Sequence, residues 1–118
     1  MTIKSLNKQN EIRNLLITLA RDASKPLIYT YGTFGKMVGI FNMRGTKDLL
    51  DAIAKEEQGQ ERPDVTYMLV NADWGYPSQI GGYPAKPPQD WQRQLAYEEM
   101  QKIIKDYRLG ETSNPYRP

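Results

Sequence analysis

This chain has to fold without covalent cross-links, because its sequence contains no cysteine and no histidine. Disulfides and Cys/His zinc sites, which stabilise many small folds, are therefore excluded. Apolar residues make up 39% of the 118 residues, and we expect them to form one core in a single globular domain over residues 1–110. Residues 111–118 contain two prolines and no apolar run, so we expect a flexible C-terminal tail there.

Four segments have the apolar spacing or the capping residues of helices. They are residues 7–23, 34–38, 47–57 and 91–108. Thr33 and Thr46 are the expected N-caps of the second and third helices, and Asp90 is that of the fourth. Trp91 and Leu95 are assigned to the apolar face of the last helix.

Two β-prone runs and one long loop complete the pattern. Residues 27–31 and 65–70 are rich in β-branched and aromatic side chains and are predicted strands. Residues 71–88 are rich in glycine and proline and are predicted to form a loop or wing, meaning an extended loop beside the helices. Its three interleaved aromatic residues are candidates for a stacking or docking surface: Trp74, Tyr76 and Tyr83.

The order of these elements favours a small α+β domain, specifically a winged helix-turn-helix-like domain with a C-terminal helix. In such a domain the second helix of a pair enters a nucleic-acid groove while the first crosses the backbone. The charge distribution agrees with a polyanionic partner. Residues 1–50 have a net charge of +5, whereas residues 51–118 have −3.

The segment Tyr29–Gly39, with sequence YTYGTFGKMVG, resembles the start of the DNA-binding domain of O6-alkylguanine-DNA alkyltransferases and alkyltransferase-like proteins. Arg44 stands where that family has the arginine that opens its recognition helix, and the Gly-Gly-Tyr at 81–83 matches a further family motif. The resemblance covers roughly residues 27–105. It implies that Tyr31 and Arg44 handle the DNA backbone and fill the stack of a flipped base.

The same resemblance implies a non-catalytic relative, because no Cys, His or Arg stands between Tyr67 and Asp73, where the family has its reactive cysteine. We therefore expect a nucleic-acid-binding protein without enzymatic activity, cofactor or metal, and DNA is the expected ligand. Its expected contacts are Tyr31, Lys36, Arg44 and Lys47.

Two alternatives remain open at this stage. The chain could be a small protein-binding module or inhibitor, such as those encoded by phages or mobile elements, with the aromatic loop as its docking surface. It could also be a metal-dependent enzyme that uses Asp64 or Asp73. No run approaches the roughly 20 apolar residues of a membrane span, and no apolar leader follows the first residues. We therefore expect a soluble cytoplasmic protein.

Overall fold

The computed structural model describes residues 3–40, 47–80 and 87–118, which form a small α+β domain. Its elements in chain order are α1 (Ile3–Arg21), β1 (Tyr29–Thr30), α2 (Tyr31–Val38), α3 (Lys47–Gly59), a 3-10 turn (Val65–Met68), β2 (Leu69–Val70), a second 3-10 turn (Ser78–Ile80) and α4 (Asp90–Tyr107). The four predicted helices are present, with bounds that differ from the predicted ones by at most four residues. Among the described helices none is both long and apolar enough to cross a bilayer.

The core lies between α1, α3 and α4, with the first 3-10 turn at its centre. Val65, Thr66 and Met68 of that turn are completely buried. Each of the three helices packs against the turn, and α1 also packs against both other helices. The smaller helix α2 packs on the two strands instead.

The first strand is shorter than predicted because α2 begins early. Thr30, and not Thr33, is the N-cap, since its hydroxyl oxygen accepts a hydrogen bond from the Thr33 amide at 3.2 Å. Helical geometry therefore starts at Tyr31, and only Tyr29 and Thr30 remain in the strand. At the other end, Gly39 has a left-handed φ of 74° and terminates the helix, as the sequence predicts.

The prediction of a six-residue second strand is wrong. The Asp64 carboxylate accepts hydrogen bonds from the Thr66 amide at 3.0 Å and the Thr66 hydroxyl at 2.5 Å, which bends residues Val65–Met68 into a 3-10 turn. Only Leu69 and Val70 are extended. They pair in parallel with β1, in the register Tyr29 to Leu69 and Thr30 to Val70.

The last helix differs from its prediction in its cap and in its exposed face. Gln89, and not Asp90, is its N-cap residue. The side-chain oxygen of Gln92 accepts a hydrogen bond from the Gln89 amide at 2.7 Å in a capping box. The buried stripe of α4 consists of Ala96, Met100, Ile103 and Ile104. Trp91 and Leu95 were assigned to this stripe, but they lie on the opposite side and are 56% and 36% exposed.

The flexibility expected of residues 111–118 stays a prediction, and in the structure Tyr116 of this segment packs against the domain. Tyr116 is only 2% exposed and belongs to the core. Its phenol donates to the carbonyl of Tyr67, and its ring stacks on Tyr76 with centroids 5.4 Å apart. Local sequence patterns carry no signal for this packing, because one aromatic residue in a polar segment gives no periodic pattern.

Candidate functional site

The parallel pairing of β1 and β2 brings two distant segments of the chain to the same edge of the sheet. The carboxyl end of β1 leads into α2, and that of β2 leads into the loop that begins at Asn71. A hydrogen bond joins the two segments directly, because the Tyr31 hydroxyl accepts from the Ser78 amide at 3.1 Å. Ligands commonly bind at the carboxyl ends of parallel strands, so we treat this edge as the candidate site.

The α2 side of the site is polar and exposed. Phe34 and Val38 of this helix are buried, whereas Gly32, Thr33 and Lys36 are exposed. Gly32 lies in the first turn, where the amides of a helix carry a partial positive charge. The exposed side of α2 therefore offers a cation, a hydroxyl and a helix N-terminus, together with the apolar side chain of Met37, which is 46% exposed.

The loop side of the site is a turn built around Asn71. Its side-chain oxygen accepts from the amides of Asp73 at 2.8 Å and Trp74 at 3.3 Å. Its own backbone bonds to Gly75 and Tyr76 at 2.8 and 2.9 Å close the turn. Trp74 stands on this turn with 40% of its surface exposed. The indole is thus held on a defined backbone and remains available to a ligand.

Tyr31 and Tyr76 have internal partners. Both are half-buried, and burial raises the pKa of the Tyr31 hydroxyl, which bonds to Ser78. Tyr76 stacks on Tyr116, and its hydroxyl donates to the Arg117 carbonyl at 3.0 Å. These two tyrosines therefore stabilise the loop in the structure, and their predicted role in ligand contact stays a prediction.

The remaining predicted contacts lie elsewhere or outside the described residues. Lys47 is exposed in the first turn of α3, where its ammonium lies 2.9 Å from the Asp51 carboxylate. This hydrogen bond and the charge of Asp51 raise the pKa of Lys47. Arg44 and Tyr83 belong to segments 41–46 and 81–86, which are outside the described residues.

The carboxylates considered for a metal site have different surroundings. Asp64 is buried and bonded to Thr66, while Asp73 is exposed on the loop. Over residues 3–40, 47–80 and 87–118, no group of three or more acidic side chains is placed to hold a metal ion.

Comparison of the chain with family models, with curated proteins and with solved structures gave no match. The resemblance to alkyltransferase-like proteins therefore stays a prediction carried by the residues quoted for it. The candidate site is therefore assigned from the contacts described above.

Sequence reasoning identified both halves of the site but missed how they are held together. Ser78 and Tyr116 were not singled out, although they bond to Tyr31 and pack on Tyr76. Their role depends on contacts over more than 30 residues of sequence, for which local patterns carry no signal.

For Trp91 and Leu95 of α4, the helical spacing did contain a signal of their exposure. Their spacing places them on the face of α4 opposite the stripe of Ala96 and Met100.

Proposed function

We propose that this chain is a non-enzymatic nucleic-acid-binding protein whose contact surface is the edge formed by α2 and the Asn71–Ile80 loop. The observation that carries the proposal is the hydrogen bond of 3.1 Å between Tyr31 and Ser78. This bond joins α2, which carries the exposed cation Lys36, to the loop that carries the exposed indole of Trp74, and the two segments meet at one edge of the sheet. Cations that follow a phosphate backbone and aromatic rings that stack on bases are the common elements of such surfaces.

In this proposal the two halves of the edge have separate roles. Lys36 and the exposed first turn of α2 contact phosphate oxygens, since both carry positive charge. Trp74 stacks on a base or lies against the groove as part of a wing. Asp48 and Asp51 are exposed on α3 and repel phosphates, so the backbone contacts are placed on α2.

A winged helix-turn-helix mode of binding belongs to the same proposal. The consecutive helices α2 and α3 are its helix pair, and the loop after β2 is its wing. Arg44 precedes α3 in sequence and Tyr83 follows the loop, so the proposal includes both as contacts on the strength of the sequence.

The test is fluorescence anisotropy of labelled duplex and single-stranded DNA, titrated with the protein at about 50 and 200 mM salt. We expect binding that weakens steeply with salt, because each neutralised phosphate releases counterions. Lys36→Ala should weaken binding to all sequences and reduce the slope of log affinity against log salt by about 1. Trp74→Ala should weaken binding with little change in that slope.

Lys25→Ala is the matched control for charge. Lys25 is also exposed but precedes β1, at the opposite end of the strands from the candidate edge. Lys25→Ala removes the same charge as Lys36→Ala and should leave the slope of log affinity against log salt nearly unchanged. Equal losses for Lys25→Ala and Lys36→Ala would mean nonspecific attraction, and absence of binding at the lower salt would rule the proposal out.

A protein-binding module is the second candidate, favoured by the exposed face of α4. Trp91 and Leu95 lie one helical turn apart, are 56% and 36% exposed, and together form an apolar pair on the surface. In this case retention of a partner should be insensitive to salt and should be lost in Trp91→Ala. Lys102→Ala, on an exposed position of the same helix, should retain the partner.

A further inference from the structure

The last eight residues, Glu111–Pro118, which we call the C-terminal strap, contact two parts of the domain at once. The side-chain amide of Asn114 donates to the Tyr97 carbonyl at 3.0 Å and to the Gln101 side chain at 3.1 Å, which fixes the strap to α4. Two residues later, the buried Tyr116 donates to the backbone of Tyr67. The strap therefore runs from α4 to the segment that precedes the candidate loop.

The strap reaches the candidate site through Tyr76. The Tyr76 ring stacks on Tyr116 with an interplanar angle of 27°, and its hydroxyl donates to the Arg117 carbonyl at 3.0 Å. The Tyr76 carbonyl meanwhile accepts from the Asn71 amide, the bond that closes the turn carrying Trp74. One residue is thus shared between the strap and the turn that positions the exposed indole.

The connection between α4 and the strap is exposed and is held by local hydrogen bonds, from the Glu111 amide to the Arg108 carbonyl at 3.1 Å and from the Ser113 amide to the Glu111 side chain at 3.0 Å. Leu109 has 86% of its surface exposed, and Thr112 and Ser113 are exposed as well. Gly110 has φ of 99°, a conformation that other residues rarely adopt. The contacts that hold the strap across the domain are therefore made mainly by residues 114–117.

We propose that the C-terminal strap controls the conformation of the Asn71–Ile80 loop, and that its release loosens the turn that presents Trp74. The inference rests on the proposed function for its consequence, since a loosened turn binds nucleic acid more weakly. The effect of the strap on the conformation of the loop involves only contacts within this chain, so it can be measured without any ligand.

The experiment uses Trp74 as its own reporter. The sequence contains two tryptophans, Trp74 and Trp91, so Trp91→Phe leaves a single indole. In that background we would measure acrylamide quenching and steady-state anisotropy of Trp74 fluorescence. Tyr116→Ala should raise the quenching constant about twofold and lower the anisotropy, because a detached loop exposes its indole more fully. Asn114→Ala should produce a smaller change in the same direction.

Thr112→Ala is the matched control, since Thr112 belongs to the strap and is exposed. It should leave quenching unchanged. Far-UV circular dichroism checks that the helices persist in each variant. If Tyr116→Ala does not fold, Asn114→Ala decides the question, because Asn114 is partly exposed and its side chain bonds to α4 and to the Tyr116 amide rather than filling the core. Unchanged Trp74 quenching in the folded variants would overturn the proposal.

DNA titration of the same variants separates this proposal from the proposed function. If quenching rises in Tyr116→Ala but the parent chain binds no DNA, the strap stands and the nucleic-acid function fails. If the parent binds DNA and quenching does not change, the function stands and the strap fails.

Discussion

Asp64 is a buried carboxylate whose charge is only partly compensated. It accepts two hydrogen bonds from Thr66, while its own amide donates to the Glu99 side chain at 2.8 Å. Burial raises the pKa of Asp64 to about 6, in opposition to the Thr66 bonds that favour the charged form. The nearby charges of Glu99 and Glu57 raise the pKa further. A residue that shapes the central turn is thus sensitive to pH.

This pKa predicts the sign of one contribution to stability. Because the folded pKa lies above the ordinary value of 3.8, protonation of Asp64 favours the folded state. Its stabilising contribution is complete below about pH 4 and is lost as the pH rises through about 6. Asp64→Asn should remove this dependence and unfold no more easily than the parent at pH 7. The free energy of unfolding from urea titrations at pH 4, 5, 6 and 7 measures it.

Asp73→Asn is the control for the Asp64 prediction, because Asp73 is an exposed carboxyl on the loop. It should leave the parent's pH dependence in place. If the free energy of unfolding changes equally between pH 4 and 6 in the parent and in Asp64→Asn, the raised pKa of Asp64 is contradicted.

At the scale of the elements, α2 depends on its two ends. Thr30 caps the first turn, and at the last turn the amides of Gly39 and Ile40 both donate to the Gly35 carbonyl. The ammonium of Lys8 also donates to the Val38 carbonyl at 3.0 Å, which connects the end of α2 to α1. Since α2 has only eight residues, these caps satisfy a large share of its backbone groups.

Gly39→Ala tests the C-terminal cap of α2. No atom lies within 4 Å of the position that an added Cβ would take, so the cost comes from the left-handed φ of 74° alone. We expect a loss of about 1 to 2 kcal/mol in the free energy of unfolding. Gly59→Ala is matched, since Gly59 ends α3 with equal open space and no positive φ. Gly59→Ala should be neutral or stabilising by up to about 1 kcal/mol. Thermal unfolding compares the two, and equal losses would contradict the argument.

On the scale of the whole molecule, two buried charged groups connect segments that are distant in sequence. Arg108 donates to the carbonyls of Leu19, Ala20 and Asp22 at 2.8, 2.9 and 2.5 Å, so the end of α4 caps the end of α1. At another point of the core, the completely buried Glu57 of α3 bonds to Arg13 of α1 and to Arg62 of the following loop. Together these contacts fix the relative positions of three helices.

Glu57 is the residue whose loss should affect the whole domain most. Burial acts to raise its pKa, but the hydrogen bonds from Arg62 and Arg13 outweigh it and keep the pKa of Glu57 below its ordinary value of 4.5. Its contribution is therefore present above about pH 4.5 and is lost as the pH falls through the lowered pKa. Glu57→Gln should cost about 2 to 4 kcal/mol at pH 7, because two guanidinium groups lose their carboxylate.

The adjacent Glu56→Gln is the control, since Glu56 is exposed and lies 3.9 Å from Arg62. It should cost less than about 1 kcal/mol. Urea unfolding at pH 7 and pH 3 measures both variants, and the difference between them should shrink at the lower pH. Equal losses of unfolding free energy at pH 7 would mean that the buried contacts of Glu57 with Arg13 and Arg62 contribute nothing beyond a surface contact.

The sequence alone determined the helices, because spacing and caps act within a few residues. The stripe of Ile12 and Leu16, and the glycine after Val38, correctly located α1 and the end of α2. The small α+β class followed from the same local patterns. Sequence reasoning also selected Lys36 and Trp74, both of which the structure exposes.

The contacts among the remaining residues depend on how the helices and strands pack. The bend at Val65–Met68 depends on the side-chain oxygen of the buried Asp64 as an acceptor, and the burial of Tyr116 includes the stacking of its ring on Tyr76. The parallel register of β1 and β2 joins the start of α2 to the loop after Val70 across some 40 residues of chain. These contacts depend on the packing of the whole core, and no local propensity encodes them. The chemical groups of the candidate site were therefore set by the sequence, whereas their common edge was set by the fold.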